Sequence, residues 1–493
     1  MPADIDRSTQ YSPSIGLLYI FNLIVGTGAL ALPKAFQTAG YALSVLILLI
    51  SCGVSYIAAT FVVESLSVGN AVHVRKRRRE AEPASEFDDV VISESGPSSF
   101  EINEKIEVSQ MASMFLGRGG VIFSYIALDV YLFGDLAIYS TTVSKSMMNM
   151  ICYSASVNTS IVMPWDPCRE SWPDPLDRFT VYRLCVFVFV AVCTPMIIMG
   201  ITKTKYLQLA TTLSRWSAFI LMIFLASAQI VSNGAATIPP AANIHGFGSL
   251  FGVAVYAFMC HHSIPSLVTP MSSKSGIFGK LSCVYLLVLC FYFTLSLTGS
   301  FAFAHVQDVY TLNFLHDDLT SVFYFICDHF LALFPVFTLT TNYPIVGITL
   351  INNIRVLRDL ITPTDSLQSE EESLLEDDGE HDDRARRSNR SLQVSDVLIP
   401  FLVIGFPTMI SFFTDNVLML ATVTGSYPGV GVQFLIPCLL VMRARTYAKS
   451  VLNFPVPKKF ASPFQSNYWP YAIFLWAAFA IIMATVNTLG VRF

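Results

Sequence analysis

Midway along the first long apolar stretch the chain reads Phe21-Asn22-Leu23-Ile24-Val25-Gly26-Thr27-Gly28-Ala29-Leu30-Ala31-Leu32-Pro33. Each glycine weakens a helix by roughly 1 kcal/mol relative to Ala. A helix broken there exposes amide N–H groups at the start of its second half, where the peptide dipoles attract a carboxylate. Unwound backbone in a bilayer survives only where protein covers it or a water-filled cavity borders it. Close packing of a Gly-rich helix against a neighbour is the competing reading of the same residues. A second interruption lies at Phe258-Met259-Cys260-His261-His262-Ser263-Ile264-Pro265-Ser266-Leu267, with Pro and paired His inside an apolar run. Interruptions at corresponding places in two halves of a chain point to the binding site of a secondary transporter.

Ionisable side chains at membrane depth cost about 2.5–3.5 kcal/mol each even on the lenient insertion scale, so they mark function or buried pairing. Asp129 and Asp135 fall in the third apolar segment, Arg215 in the fifth, and Asp328 with His329 in the eighth. The spacing of the two aspartates sets them about 240° apart around a helix, on different faces. Arg215 stays charged throughout the physiological range. It is either a permanent cation at an ion site or one half of a buried pair with an aspartate. His261, His262 and the aspartates are the groups able to carry a coupling proton.

These residues need a membrane-spanning frame, and the composition supplies one. Hydrophobic residues make up 53% of 493 and charged residues 13%, with a mean hydropathy of +0.57. Soluble domains average about 25% charged residues. About 20 apolar residues cross the hydrocarbon core, and about eleven segments qualify. They are 13–38, 41–68, 119–148, 179–201, 207–231, 247–271, 281–304, 319–352, 395–413, 417–441 and 468–490. The breaks fall in segments one and six, a five-helix period. The expected fold is therefore an all-α membrane protein with two inverted five-helix repeats, 13–231 and 247–441, and an additional C-terminal helix at 468–490.

Orientation follows from basic residues, which favour the cytosolic side. Of 30 Lys and Arg, only Lys34, Lys145, Arg169, Arg178, Arg183 and Arg492 lie opposite the N-terminal side, and Arg215 lies within a span. This places residues 1–12 and the polar loops 69–118 and 353–394 in the cytosol, and 149–178 outside or in a lumen. Both cytosolic loops read as mostly unfolded, because they bury too little apolar surface, with a short helix expected over Ile102–Phe115 leading into the third span. The Asn158-Thr159-Ser160 sequon falls in the non-cytosolic loop, making Asn158 a glycosylation candidate. Cys152 and Cys168 flank that loop and can pair if it faces an oxidising compartment. Glu370 with Leu374 and Leu375 fits an acidic di-leucine signal for sorting adaptors, with a chance match in an acidic loop as the alternative. Lysosomal or endosomal membrane and plasma membrane are both open destinations.

Several strings carry a family resemblance. Asn22 through Gly28 followed by Leu30, Pro33, Ala35 and Phe36 resembles the first-helix motif of the amino acid/auxin permease family. Phe258-x-Cys260-His261-x-x-x-Pro265 is similar to that family's sixth helix. Gln110–Phe115, Gly134–Tyr139 and Lys203–Gln208 resemble its transmembrane protein 104 branch. The resemblance implies a LeuT-type fold and an amino acid substrate. It implies that backbone at Val25, Gly26, Thr27, Gly28 and Ala29 receives the substrate carboxylate, and carbonyls around Phe258, Cys260 and His261 its amine. It further implies that Asn22 and an eighth-helix hydroxyl, from Thr338, Thr340 or Thr341, would help bind a sodium ion. If Arg215 filled that ion site, transport would not need sodium.

Three classes of function compete. An ion-coupled secondary transporter, driven by protons or sodium, accounts for the paired breaks and the buried polar groups. An amino acid sensor on the same fold would keep the site and signal through the cytosolic loops. An enzyme would need a converging nucleophile, base or metal set, and no HExxH, GxSxG or phosphate-binding loop is present. No metal-ligand spacing, no resident cofactor and no nucleic-acid partner is expected. The expected partners are a small amino acid, lipid and sorting adaptors.

Overall fold

An unpaired peptide group in hydrocarbon costs several kcal/mol, so each apolar stretch must satisfy its own backbone, which a helix does. A computed structural model of the chain describes residues 10–81, 96–152, 165–169, 172, 176–199, 205–315, 322–361 and 394–489. The α-helices among them begin with α1 (Pro13–Ile24), α2 (Gly28–Ala39), α3 (Tyr41–Ala81), α4 (Val108–Phe115) and α5 (Gly117–Ile151). Next come α6 (Arg178–Ile198), α7 (Lys205–Asn233), α8 (Phe247–Ala257), α9 (Ile264–Val268) and α10 (Ile277–Ala302). The last are α11 (Val322–Ile361), α12 (Val394–Phe413), α13 (Val417–Thr424), α14 (Ile436–Ser450) and α15 (Tyr468–Thr488).

Among the described residues, nine helical stretches are long and apolar enough to cross a bilayer, and α1 with α2, bent by 52°, together make one further span, the first in chain order. The shorter apolar stretch Leu398–Phe413 lies within α12. The protein is an all-helical, multi-pass integral membrane protein, and these stretches fall on the eleven expected segments in order. The narrow turn between α12 and α13 holds because Asn416 caps α13, its side chain accepting from Met419 N at 2.9 Å.

The loop read as mostly unfolded, 69–118, is folded at both ends. Hydropathy marks where lipid ends, not where helix ends: α3 continues through Arg75–Arg79, good helix formers, to Ala81. Residues 96–107 then lie along that extension. Asn70 Oδ1 accepts from Asn103 N (3.0 Å) and Glu104 N (2.8 Å), Ser67 donates to Phe100 O (2.6 Å), and Phe100 and Ile102 are fully buried. Glu104 pairs with His73 and Arg77. The His73 hydrogen bond, helped by Arg77, holds its carboxyl below the usual range despite partial burial. Likewise α11 extends to Ile361, past the expected 352. The loop centres, 82–95 and 362–393, lie outside the described residues, and with them Glu370, Leu374 and Leu375. Asn158 does as well.

The chain forms two compact units, each drawing on both sequence halves. One comprises the residues up to Tyr131, Thr212–Phe334 and Asn416 onward; the other comprises Leu132–Thr211 and Pro335–Asp415. In the second unit, Cys152 and Cys168 are joined as a disulfide beside buried Met148, Val181, Tyr182 and Cys185. The Tyr182 hydroxyl lies 2.8 Å from Ser411 O and 3.0 Å from Thr414 O, at the end of α12.

The first unit is built around α8, whose span is the most buried of the nine. Such enclosure requires small residues. A Cβ on Gly252 would lie 2.4 Å from Thr422 O, and one on Gly425 would lie 1.9 Å from Gly252 O. Beyond α13 the tenth span continues through two wide turns, Gly425–Gly429 and Gly431–Leu435, before α14. At one end of the unit Glu64 of α3 and Arg445 of α14 form a buried two-pronged ion pair, 2.8 Å on each side. The corner between α2 and α3 turns at Gly40, with φ of +92°. There Tyr41 N and Ala42 N donate to Pro240 O and Ala241 O (3.1 and 2.9 Å), while Asn243 N donates back to Ala39 O (2.7 Å).

Candidate functional site

The first break spans Val25–Thr27, between α1 and α2. Val25 N still closes a helical bond to Phe21 O (2.9 Å), but Gly26 N turns back to Ile24 O (2.8 Å) and the ladder stops. The two glycines differ in their surroundings. A Cβ on Gly28 would sit 2.6 Å from Ala257 Cα, whereas one on Gly26 would meet nothing nearer than Leu23 O at 3.9 Å. Gly28 thus serves close packing of α2 on α8. Gly26 has room for a methyl at ordinary van der Waals distance. Thr27, buried, shares a 2.9 Å hydrogen bond with the Tyr256 hydroxyl on α8, and Ala29 is fully buried.

The second break lies between α8 and α9. Three of its side chains are wholly enclosed: Phe258, Cys260 and His261 are each 0% exposed. Phe258 packs edge-on to Tyr292 at 5.4 Å between ring centres. Cys260 Sγ and the Tyr285 hydroxyl share a 3.2 Å contact. His261 Nε2 lies 2.9 Å from Ser55 O; a carbonyl only accepts, so Nε2 carries the proton and donates. Gln433, in the second wide turn of the tenth span, donates to Ser55 Oγ. His262 faces the Tyr131 ring at 5.9 Å.

The two breaks meet at α10. Tyr292, fully buried, has its hydroxyl 3.0 Å from Ile24 O and 2.9 Å from Ala257 O. Those are the last carbonyls of α1 and α8, the groups that lose their helical partners when a helix is interrupted.

Arg215 of α7 reaches the same end of α1. Its guanidinium donates to Asn22 O (2.5 Å) and Val25 O (3.2 Å), while Asn22 Nδ2 donates to Thr212 Oγ1 (2.9 Å). Beside it is a recess lined by Phe21, Asn22, Val25, Arg215, Trp216, Phe219 and Phe291, with Phe21 and Trp216 stacked at 4.5 Å. A cation on the terminal carbonyls of α1 complements the negative end of its dipole.

The structure therefore gathers Asn22, Val25–Ala29, Arg215, Phe258, Cys260 and His261 in one unit. Asp129 and Asp328 are buried in that unit too, on α5 and α11. Asp135, Thr338, Thr340 and Thr341 belong to the other unit. There the three threonine hydroxyls donate to carbonyls of their own helix: Pro335 O (3.5 Å), Val336 O (2.6 Å) and Thr338 O (2.9 Å) respectively. Sequence reasoning missed Tyr292, Tyr256, Tyr285, Ser55 and Gln433. Gln433 alone carried a usable signal, an amide within an apolar span.

The sequence profile of the transmembrane amino acid transporter proteins matches residues 9–484. The chain is 59% identical over 501 residues to the transmembrane protein 104 homolog of Caenorhabditis elegans, covering 100% of both chains. It is 36% identical over 506 residues to transmembrane protein 104 of Homo sapiens, covering 97% of this chain and 96% of the other. It is 33% identical over 537 residues to the Dictyostelium discoideum homolog, covering 97% of each. On the length of that match, which takes in both helix breaks and the helices that hold them, the chain belongs to the transmembrane amino acid transporter family.

Proposed function

We propose that this chain is a secondary transporter carrying amino acids, or small zwitterionic solutes like them, by alternating access, and that it works without sodium. The family supports the substrate class. The paired breaks support the mode, since a half-helix start offers N–H groups to a carboxylate and a half-helix end offers carbonyls to a cation. The observation that carries the coupling reading is the Arg215 guanidinium on Asn22 O and Val25 O. A sodium ion at a broken helix takes unwound backbone carbonyls as ligands. Here a side chain of permanent charge already donates to them, so these residues do not suit sodium, and the proton is the remaining coupling ion of the two considered.

The test is uptake of a radiolabelled amino acid panel into proteoliposomes, with proton and sodium gradients imposed separately. Accumulation should follow the proton gradient and persist when choline replaces sodium. Strict sodium dependence would overturn the reading. Arg215→Gln should lower proton-driven uptake at least about tenfold and bring in a sodium requirement; each hydrogen bond to a charged group is worth about 1.5–3 kcal/mol. Unchanged ion dependence would remove Arg215 from the coupling account. Solute-dependent partner binding without flux would instead mark a sensor.

The same reading keeps the N-terminus in the cytosol. The Lys/Arg asymmetry supports it, and so does the disulfide, which persists in oxidising surroundings on the opposite side. Endosomal or lysosomal residence rests on Glu370, Leu374 and Leu375. Imaging a Leu374→Ala, Leu375→Ala protein should show it leaving that compartment, and an unchanged location would count against adaptor sorting.

A further inference from the structure

The second break and the tenth span meet on one residue of α3. Ser55 receives the His261 Nε2–H at its carbonyl (2.9 Å) and the Gln433 amide N–H at its hydroxyl. The turn His261–Ser263 packs against Gly431–Leu435, the wide turn that carries Gln433. Wide turns inside an α-helix are frequent at functional sites. Ser55, His261 and Gln433 are all fully buried. Two atoms of the group are left over: His261 Nδ1 and Gln433 Oε1 are buried, and neither meets a hydrogen-bond partner among the described residues. Because Nε2 donates, Nδ1 is the lone-pair nitrogen of a neutral imidazole, and Oε1 is a carbonyl that accepts. Two acceptors in one buried group therefore lack a proton between them, where an unmet acceptor is costly.

We propose that His261 Nδ1 takes the coupling proton and that the Gln433 carbonyl receives it there, which makes Gln433 the positioning residue of the proton site. The proton comes from water on one side of the membrane onto the Nδ1 lone pair and leaves to water on the other. The Nε2–H bond to Ser55 O is kept throughout, so the imidazolium donates from both nitrogens. Nothing is oxidised, and one charge moves with each proton. This rests on the proton-coupled reading above and names its site. Loading the site ties the second break to the tenth span directly, where the neutral ring is tied to it through Ser55. The other titratable groups around His261 are His262 on its own turn, Cys260 with Tyr285, Cys52 of α3, Tyr131 against His262, and Glu107 at the cap of α4, whose charge reaches His262. Thiols and phenols ordinarily release protons near pH 8.5 and 10, which leaves His262 as the competing imidazole. It is His261 that shares Ser55 with Gln433.

The experiment uses the full-length protein in proteoliposomes. Uptake of the best-transported amino acid of the labelled panel is measured against external pH, and the pH of half-maximal activation is read for each protein. Gln433→Leu removes the acceptor and should lower that pH by about one unit, a tenfold weaker hold on the proton. Gln433→Glu supplies a stronger acceptor and should raise it by about one unit or more. A glutamine that only packs the second and tenth spans together would leave both midpoints unchanged or move them the same way, and either result overturns the proposal. His261→Gln keeps an N–H for Ser55 O but takes up no proton. Its proton-driven accumulation should be lost while exchange of internal for external solute persists, and accumulation that survives overturns the proposal. If His261→Gln does not fold, the opposed shifts of the two Gln433 variants decide. A parent that accumulates solute on a sodium gradient alone would instead break the proton-coupled reading itself.

Discussion

The two broken spans solve the same problem in opposite ways. The break at Val25–Thr27 is held mostly through its backbone and leaves room for a methyl at Gly26. The break at Phe258–Cys260 is filled by its own side chains, with His261 on Ser55 O, Cys260 on Tyr285 and Phe258 against Tyr292. The first break is thus the more loosely filled of the two. A glycine in mid-membrane accordingly has two meanings, and only the neighbouring atoms tell them apart.

Substitutions can break or sharpen that contrast. The largest effect should come from Gly28→Val. The new side chain begins 2.6 Å from the Ala257 backbone, which cannot yield as a flexible side chain would, and a loss of about 3 kcal/mol is expected. Thermal unfolding in detergent would read it. His261→Leu follows, since it leaves the buried Ser55 carbonyl without this donor at a cost of about 2 kcal/mol. Its unfolding midpoint should fall, whereas amine selectivity among the solutes still transported should hold. Thr27→Val removes the bond to Tyr256 and should cost about 1 kcal/mol by the same measurement. The smallest stability effect belongs to Gly26→Ala, within about 0.5 kcal/mol of the parent. Its consequence should appear instead as a changed KM for uptake. If Gly26→Ala unfolds the protein while Gly28→Val is tolerated, the contrast is the wrong way round.

Much of this was legible beforehand because lipid imposes simple rules. Long apolar stretches gave the spans, and Gly26-Thr27-Gly28 with the paired His located both interruptions. Arg215 stood out because a guanidinium in an apolar segment needs a partner. The direction of side chains was not legible. Tyr292 reads as one more aromatic in an apolar helix, and its two partners lie 268 and 35 positions away in the chain. Ser55 looks like an ordinary small residue until His261 is seen to end on its carbonyl. The three threonines of α11 could not be ranked, because a hydroxyl in a helix can always turn to the carbonyl of its own preceding turn, and here all three do. The length of α3 was misjudged for a similar reason: a run of arginines halts a membrane crossing without halting a helix.

The corner at Gly40 carries a mechanical corollary. Its peptide groups are stitched to Pro240, Ala241 and Asn243, just ahead of α8, by main-chain bonds running in both directions, and Gly246 abuts Ala39 so closely that an added methyl would lie 2.7 Å from its Cα. Spans one and six are thereby hinged at a common joint. In the alternating-access cycle proposed above, a tilt of either one there would carry its counterpart along, and a spacer inserted between Gly234 and Pro240 would leave that linkage intact where one inserted between Ala241 and Asn243 would sever it.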